Sequence, residues 1–154
     1  MQQGRKNLNF VEILAKDFPQ FNFESADDFH WNFETQTIFF EPNSSNFEAQ
    51  ILHEIGHGID QHANFSLDIE LLQMENQAWE TAREIAAEYG LKISQNLVEK
   101  HLDSYRDWLH RRSLCPNCFV NGFQQSDLSY KCPACGTIWN VNDSRFKSLR
   151  RTKK

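Results

Sequence analysis

Four cysteines constrain the folding of this chain more than any other feature. They stand in two C-x-x-C pairs, CPNC at residues 115–118 and CPACG at residues 132–136. Thirteen residues separate the pairs, enough for the chain to turn back and bring four sulfur atoms to one point. Outside a secretory context, paired C-x-x-C motifs hold a metal rather than form disulfides. The spacing predicts one tetrahedral zinc site, with Cys115, Cys118, Cys132 and Cys135 as ligands.

The segment between the two pairs, FVNGFQQSDLSYK, is typical of two short strands around a loop. Pro116 and Pro133 suit a tight turn within each pair, and Gly136 suits the turn after the second. These features predict a zinc ribbon over residues 113–141. A module this small depends on its metal for folding. Because four thiolates leave no open coordination position, this zinc is expected to be structural.

The rest of the chain has the composition of a globular protein. The 154 residues are 40% hydrophobic and 24% charged, which suits one modest domain with a small appendage. The first apolar stretch, FVEILAKDF, is interrupted by Glu12 and Lys16, unlike a signal peptide. No apolar run approaches the roughly 18 residues that a membrane span needs. The sequence therefore predicts a soluble, cytoplasmic protein that does not contact a membrane.

A net charge of -5 conceals a basic tail over residues 142–154. This tail carries six Lys and Arg side chains against the single carboxylate of Asp143, and the rest of the chain is strongly acidic. A basic tail after a ribbon can bind nucleic acid, here with Arg145, Lys147, Arg150 and Arg151 on phosphates. The alternative is that ribbon and tail only stabilise the fold. The acidic body excludes a broad nucleic-acid-binding surface.

Strand signals and helix signals alternate before the cysteines, which predicts an α+β fold. Aromatic-rich segments predict three strands, at residues 21–25, 28–33 and 37–41. Apolar periodicity and end signals predict four helices, at residues 7–18, 46–61, 68–89 and 95–112. A first domain is therefore expected over residues 1–112, followed by the ribbon and the tail.

Several boundaries have specific chemical reasons. Ser44 or Ser45 is expected to cap the second helix, and Glu48 would complete a capping box with Ser45. Gly90 suits the position just after the third helix, and Ser94 suits the N-cap of the fourth. Segment 37–41 is expected at the edge of the sheet, where a substrate could bind as an added strand.

The second predicted helix contains the motif H-E-x-x-H, with His53, Glu54 and His57. Four residues turn a helix by roughly 400°, so the two imidazoles stand on one face, one turn apart. Glu54 lies beside that face, where it can reach a metal-bound water without binding the metal. The motif therefore encodes two zinc ligands and a general base. An ordinary helix can also carry these letters by chance.

Two features of this helix favour the metal site over chance. Its apolar residues fall largely on the side opposite the two histidines; they are Phe47, Ile51, Leu52, Ile55 and Ile59. Gly56 and Gly58 each cost up to ~1 kcal/mol of helix stability relative to Ala. Close approach of another backbone, or of substrate, would explain why the helix contains them.

The third ligand is expected on the next helix. Its apolar seam is regular except at Glu75; the seam residues are Leu71, Leu72, Ala78, Trp79, Ala82, Ile85, Ala86 and Tyr89. Burying an unpaired carboxylate costs several kcal/mol, so an inward Glu75 needs a cation or several hydrogen-bond donors. Glu80 falls on the solvated face instead. The seam predicts Glu75 rather than Glu80 as the ligand, and a core salt bridge with an Arg is the alternative.

Two residues that follow the motif, Asp60 and His62, are candidates for supporting roles. A third histidine ligand on this stretch would follow a glycine and stand six residues after His57, where the chain has Ala63. His62 is instead expected at the helix C-terminus, where a cation suits the helix dipole. Asp60 either orients an imidazole from behind or lies in solvent.

The segment HEIGH, followed by a helix containing ENQAWETA, resembles the gluzincin branch of zinc metallopeptidases. It is most similar to small bacterial and phage proteins related to the ImmA/IrrE peptidases, whose pattern is H-E-x-x-H followed by a Glu-x-x-Ala helix. The resemblance covers residues 37–90 and implies a zincin-like domain, with His53, His57 and Glu75 as ligands and Glu54 as base. Trp79 departs from the family pattern, so the family's specificity is not carried over.

These features together predict a hydrolase, a zinc metallopeptidase that cuts peptide bonds in an intracellular protein substrate and binds two Zn²⁺ ions. Glu54 would take a proton from water and pass it to the leaving amine. Tyr89, Tyr105 and His101 are equal candidates for stabilising the oxyanion. The alternative is a non-catalytic zinc-binding module, in which the ribbon and basic tail bind nucleic acid or a protein partner.

Overall fold

The structure, a computed structural model, describes residues 2–143 and 149–154. Its α+β class agrees with the sequence prediction. The described helices are α1 (Gln2–Asp17), α2 (Phe47–Ile59), α3 (Asp68–Glu88) and α4 (Gln95–Ser113). The described strands are β1 (Asn22–Ser25), β2 (His30–Asn32), β3 (Thr37–Phe40), β4 (Phe123–Ser126), β5 (Ser129–Lys131), β6 (Ile138–Val141) and β7 (Arg151–Lys153). Within these residues, no helix combines the length and apolar character required to cross a membrane.

The described residues form two compact units. The first unit comprises the residues up to 63 together with residues 74–98. The second unit comprises residues 64–73 together with the described residues from 99 onward. Each unit has its own small sheet, of three strands in the first and four in the second.

The sheet of the first unit has the order β1-β3-β2, with β3 parallel to β1 and antiparallel to β2. The expectation that segment 37–41 forms a sheet edge is therefore wrong, because β3 is hydrogen-bonded on both sides. The physical reason is burial, since β3 is the most buried strand of the three and β1 is largely exposed. The two outer strands shield it from water, and a substrate cannot add to β3.

Helix α2 packs its apolar side on β2 and β3. Phe47, Ile51 and Ile55 on this side are fully buried. The predicted capping box is wrong: Asn46 is the N-cap, without a side-chain capping bond. The hydroxyl of Ser44 instead donates a hydrogen bond to Oε1 of Gln50, at 2.6 Å.

The end of α3 follows the sequence prediction closely. Gly90 has a left-handed φ of +67°, which glycine adopts without steric cost. The N–H of Leu91 donates to the carbonyl of Ala86 at 2.9 Å, and the N–H of Gly90 donates to the carbonyl of Ala87 at 3.1 Å. This pair of bonds is a Schellman motif, so Gly90 ends the helix as expected.

The sheet of the second unit is antiparallel throughout, in the order β4-β5-β6-β7. Strand β7 belongs to the basic tail and pairs with β6. Arg151 on this strand donates to the carbonyl of Leu114, so its guanidinium takes part in the fold. Arg150 is exposed. Arg145 and Lys147, also predicted to contact phosphates, lie outside the described residues.

A buried polar network organises the second unit. Asp68 at the start of α3 accepts hydrogen bonds from the guanidinium of Arg112 at 2.7 and 3.3 Å. The hydroxyl of Tyr130 donates to the same carboxylate at 2.6 Å. The indole N–H of Trp139 donates to the backbone carbonyl of Arg112 at 3.0 Å. The start of α3, the end of α4 and strands β5 and β6 therefore share one set of buried bonds.

Candidate metal sites

Three predicted ligands meet between α2 and α3. Nε2 of His53 lies 2.9 Å from Oε2 of Glu75, and Nε2 of His57 lies 3.3 Å from Oε1 of the same carboxylate. The two Nε2 atoms are 3.1 Å apart. All three side chains are buried. The structure therefore brings His53, His57 and Glu75 together with their donor atoms facing one point.

These separations suit a shared cation. With zinc–ligand bonds of about 2.0–2.1 Å, two ligand atoms of a tetrahedral site stand about 3.3 Å apart. Two imidazole nitrogens can also face each other when one of them carries a proton. Such a hydrogen bond involves only two of the three groups, whereas a bound cation would accept a lone pair from each of His53, His57 and Glu75. Two histidines and a carboxylate form a donor set that fits zinc and leaves a coordination position open.

Helix α3 turns inward the residues that its apolar seam predicts. Glu75 is 6% exposed and faces the two histidines, whereas Glu80 is exposed. Ala78 and Trp79, one turn after Glu75, are also buried. The partners of the buried carboxylate are thus imidazoles, and the cost of burying its charge is offset by these contacts.

Glycines in α2 allow the close approach that positions Glu75. A Cβ atom at Gly56 would stand 2.3 Å from the backbone carbonyl oxygen of Ala78, closer than any real contact. The expectation that another backbone approaches here is confirmed for Gly56. A Cβ atom at Gly58 would stand 2.9 Å from the ring of Phe21. Gly56 therefore lets α3 lie close enough for Glu75, one turn before Ala78, to reach the histidines.

Glu54 is buried beside the three predicted ligands. Burial raises the pKa of its carboxyl to about 7; the positive charge of His57 opposes this rise, and the negative charge of Glu75 adds to it. The backbone N–H of Trp31 on β2 donates a hydrogen bond to this carboxylate. A carboxyl group with a pKa near 7 can both accept and release a proton at neutral pH.

Trp79 supports His53 from α3. Its indole stacks on the imidazole, with ring centroids 4.1 Å apart and an interplanar angle of 22°. The sequence predicted no role for Trp79 at the metal site. The seam placed it inside the unit, but stacking on a ligand depends on how α2 and α3 meet.

Asp60 and His62 directly follow α2, and each side chain contacts another side chain of the first unit. Burial lowers the pKa of His62, which disfavours the cationic form expected at the end of α2. Its Nδ1 lies 2.8 Å from Nδ1 of His57 instead. Asp60 accepts a hydrogen bond from the hydroxyl of Thr81 at 2.9 Å. The side chain that contacts the Nδ1 atom of His57 is thus that of His62.

Of the three candidates for the oxyanion role, Tyr89 lies in the first unit. Its hydroxyl donates a hydrogen bond to Oδ2 of Asp17 at 2.6 Å. Burial, together with this hydrogen bond, raises the pKa of the Tyr89 hydroxyl. The bond joins Tyr89 to the end of α1, which indicates a structural contact.

The four cysteines of the second unit also converge. Their sulfur atoms all lie within 4.8 Å of one another. The sulfur atoms of Cys118 and Cys132 are 3.4 Å apart, and those of Cys115 and Cys135 are 3.7 Å apart. With zinc–sulfur bonds of about 2.3 Å, the sulfur atoms of a tetrahedral site stand about 3.8 Å apart. The arrangement is a candidate metal site with four thiolate ligands.

The surroundings of Cys135 favour the thiolate form. Hydrogen bonds from the side chain and the backbone of Thr137, and from Asn117, lower the pKa of this thiol to about 6. The N–H of Asn117 also points at the sulfur of Cys115, at 3.4 Å. Gly136 has a φ of +76° in the turn after the second pair, as its position in the sequence predicts. These donors stabilise negative charge on sulfur, as metal binding requires.

Comparison of the chain with protein-family models, curated proteins and solved structures finds no match. The resemblance to gluzincins therefore depends on the motif residues and on the geometry just described.

Proposed function

We propose that the protein is a zinc metallopeptidase of the gluzincin type. The observation that carries this proposal is the convergence of His53, His57 and Glu75 on one buried point. The carboxyl group of Glu54, which accepts a hydrogen bond from the backbone N–H of Trp31, is buried beside that point. An acid–base group next to an open zinc site is the arrangement that hydrolysis of a peptide bond requires.

The roles of the residues follow from their positions. His53, His57 and Glu75 would hold the zinc, which supplies an activated water and polarises the substrate carbonyl when bound. Glu54 accepts a proton on its carboxylate and delivers it to the leaving amine. The N–H of Trp31 orients that carboxylate, and the stacked ring of Trp79 orients His53. The substrate would be a peptide or an unfolded segment of a protein.

The cysteine site is proposed to hold a second, structural zinc ion and to form a zinc ribbon. Four thiolates complete the tetrahedron, so no position remains for water or substrate. The site's Cys115 and Cys132 belong to the same buried cluster as Tyr130, Trp139 and Val141. Metal binding and packing of the small sheet therefore stabilise each other.

Glu54→Gln tests the proposal directly. The change removes the base but keeps the size of the side chain and all seven ligands, so we expect two zinc ions per chain and no hydrolysis. The matched control is Glu80→Gln on the exposed face of α3, which should leave both properties unchanged. The measurement compares the cleavage of a peptide mixture, read by mass spectrometry, with metal content. Hydrolysis by Glu54→Gln at the wild-type rate would contradict the proposal.

Metal stoichiometry separates the peptidase from the alternative of a non-catalytic module. We expect two zinc ions per wild-type chain and one after His53 and His57 are both changed to Ala. One zinc ion in each case would leave only the cysteine site. The ribbon and tail, with a protein or nucleic-acid partner, would then be the basis of function.

A further inference from the structure

The imidazole of His57 has a second neighbour besides the ligands. Its Nε2 faces His53 and Glu75, and its Nδ1 lies 2.8 Å from Nδ1 of His62. Two ring nitrogens at this distance form a hydrogen bond when one carries a proton and the other offers a lone pair. The hydrogen bond between the two rings therefore has a direction. That direction depends on whether Nε2 of His57 binds a cation.

A histidine that binds a cation through Nε2 carries its proton on Nδ1. If His57 is a ligand, its Nδ1–H donates and Nδ1 of His62 accepts. The proton of His62 then stands on Nε2, which lies 3.3 Å from Oε1 of Gln77. The amide oxygen of Gln77 is an acceptor, so the ring N–H groups of His57 and His62 both find acceptors in one order.

A left-handed turn at Gln61 brings His62 beside His57. Gln61 has a φ of +50°, a left-handed conformation that costs a residue other than glycine about 1–2 kcal/mol. The side chain of Gln61 holds the turn by bonding to the carbonyl of Gly58 at 2.5 Å and to the amide of Gln36 at 3.0 Å. Trp31 donates its indole N–H to the carbonyl of His62 at 2.9 Å. These contacts turn His62 back toward His57.

We propose that His62 is a positioning residue for the zinc site, acting through its hydrogen bond with His57. It fixes the tautomer and the ring orientation of this ligand, and Gln77 fixes the tautomer of His62. His62 itself does not bind the metal. The inference rests on the proposed function, because it assumes zinc at His53, His57 and Glu75.

Three variants test this role in the full chain. His62→Ala removes the acceptor and should weaken zinc binding at the histidine site by about 10–100-fold, as the loss of such partners usually does. His62→Asn places an amide oxygen near the position of Nδ1 and should recover most of that affinity. Gln77→Ala should have a smaller effect. The matched control His30→Asn, on β2 beside Asp28, should leave affinity unchanged.

Affinity is measured by competition between the protein and a chelator for zinc, with the cysteine site loaded throughout. Nitrogen-15 NMR of the zinc-loaded wild-type chain gives a second readout, in which His57 should carry its proton on Nδ1. Wild-type affinity in His62→Ala, a proton on Nε2 of His57, or equal losses in His62→Ala and His62→Asn would overturn the inference. A wild-type chain that binds one zinc ion only, at the cysteines, would overturn the proposed function instead.

Discussion

Two glutamates five residues apart on α3 occupy opposite environments. Glu75 is buried against two imidazoles, and Glu80 lies in water. A carboxylate is stable in the first position only when positive charge or hydrogen-bond donors compensate it. The chemistry of each residue therefore follows from helical phase rather than from residue type.

Changing each glutamate to Ala should affect zinc affinity very differently at the two positions. Glu75→Ala removes a proposed ligand, so zinc affinity at the histidine site should fall by more than about 100-fold, beyond the usual loss for an indirect partner. The zinc ion at the cysteines should remain. Glu80→Ala should change the free energy of unfolding by no more than about 0.5 kcal/mol. Chelator competition and denaturant unfolding measure both quantities, and zinc loss in Glu80→Ala alone would contradict the assigned phase.

At the scale of elements, the geometry of the histidine site depends on how closely two helices approach. The backbone carbonyl of Ala78 on α3 occupies the space that a side chain at residue 56 would need. A carbonyl within a helix cannot rotate away without breaking its own hydrogen bond. Gly56 is therefore required by the distance between α2 and α3, although glycine weakens a helix.

Gly56→Ala should force the two helices apart. We expect a loss of about 1–3 kcal/mol in the free energy of unfolding, typical of overpacking, and weaker zinc binding because Glu75 moves away from the histidines. Gly58→Ala is the matched control: its new Cβ atom would meet the ring of Phe21, a side chain that can shift. The control should keep its zinc affinity. Equal zinc affinities in the two variants would contradict this account.

The turns that follow the two cysteine pairs carry different residues at one left-handed position. Phe119 and Gly136 stand at equivalent positions, each donating its N–H to the carbonyl of the first cysteine of its pair. Both have a left-handed φ, +63° for Phe119 and +76° for Gly136. Glycine adopts this conformation freely, whereas Phe119 is strained and its side chain is 68% exposed.

Phe119→Gly should therefore stabilise the zinc-loaded chain. Relief of the left-handed strain outweighs the lost contacts of an exposed ring and the flexibility of glycine, for a gain of up to about 1 kcal/mol. Gly136→Ala, the converse change, should destabilise by a similar amount. Thermal unfolding of the loaded protein measures both. A lower melting temperature for Phe119→Gly would show that its ring makes a stabilising contact.

At the scale of the whole molecule, each compact unit has its own candidate metal site. The second unit also has a buried ion pair, Asp68 with Arg112, that joins segments 44 residues apart in the chain. Both side chains are almost completely buried. Removing one partner would leave an uncompensated charge in the interior.

Arg112→Met should destabilise the chain by about 3–5 kcal/mol, because Asp68 would keep the hydroxyl of Tyr130 but lose its counter-charge. Arg106 provides the control, since its ion pairs with Glu99 and Asp103 are exposed to solvent. Arg106→Met should cost no more than about 1 kcal/mol. Denaturant unfolding of both variants, with zinc present, gives the comparison. Similar losses in the two variants would show that the buried pair contributes little.

The sequence by itself determined the features that depend on local spacing. A helical period places His53 beside His57 and turns Glu75 inward, whichever segments surround them. Two short loops bring the cysteines of each pair together, and a glycine is the natural end of α3 at residue 90. These features require only the geometry of a few consecutive residues, which the order of residue types specifies.

The tertiary structure decided what depends on contacts between distant segments. The central position of β3 follows from which strands cover it, and the position of His62 beside His57 follows from a left-handed turn at Gln61 held by Gln36. Arg112 finds Asp68 only when α4 and α3 are in place. Such contacts form because apolar side chains must be buried and buried polar groups must be paired across the whole unit. A local sequence pattern does not specify which distant residue will pair with a buried polar group.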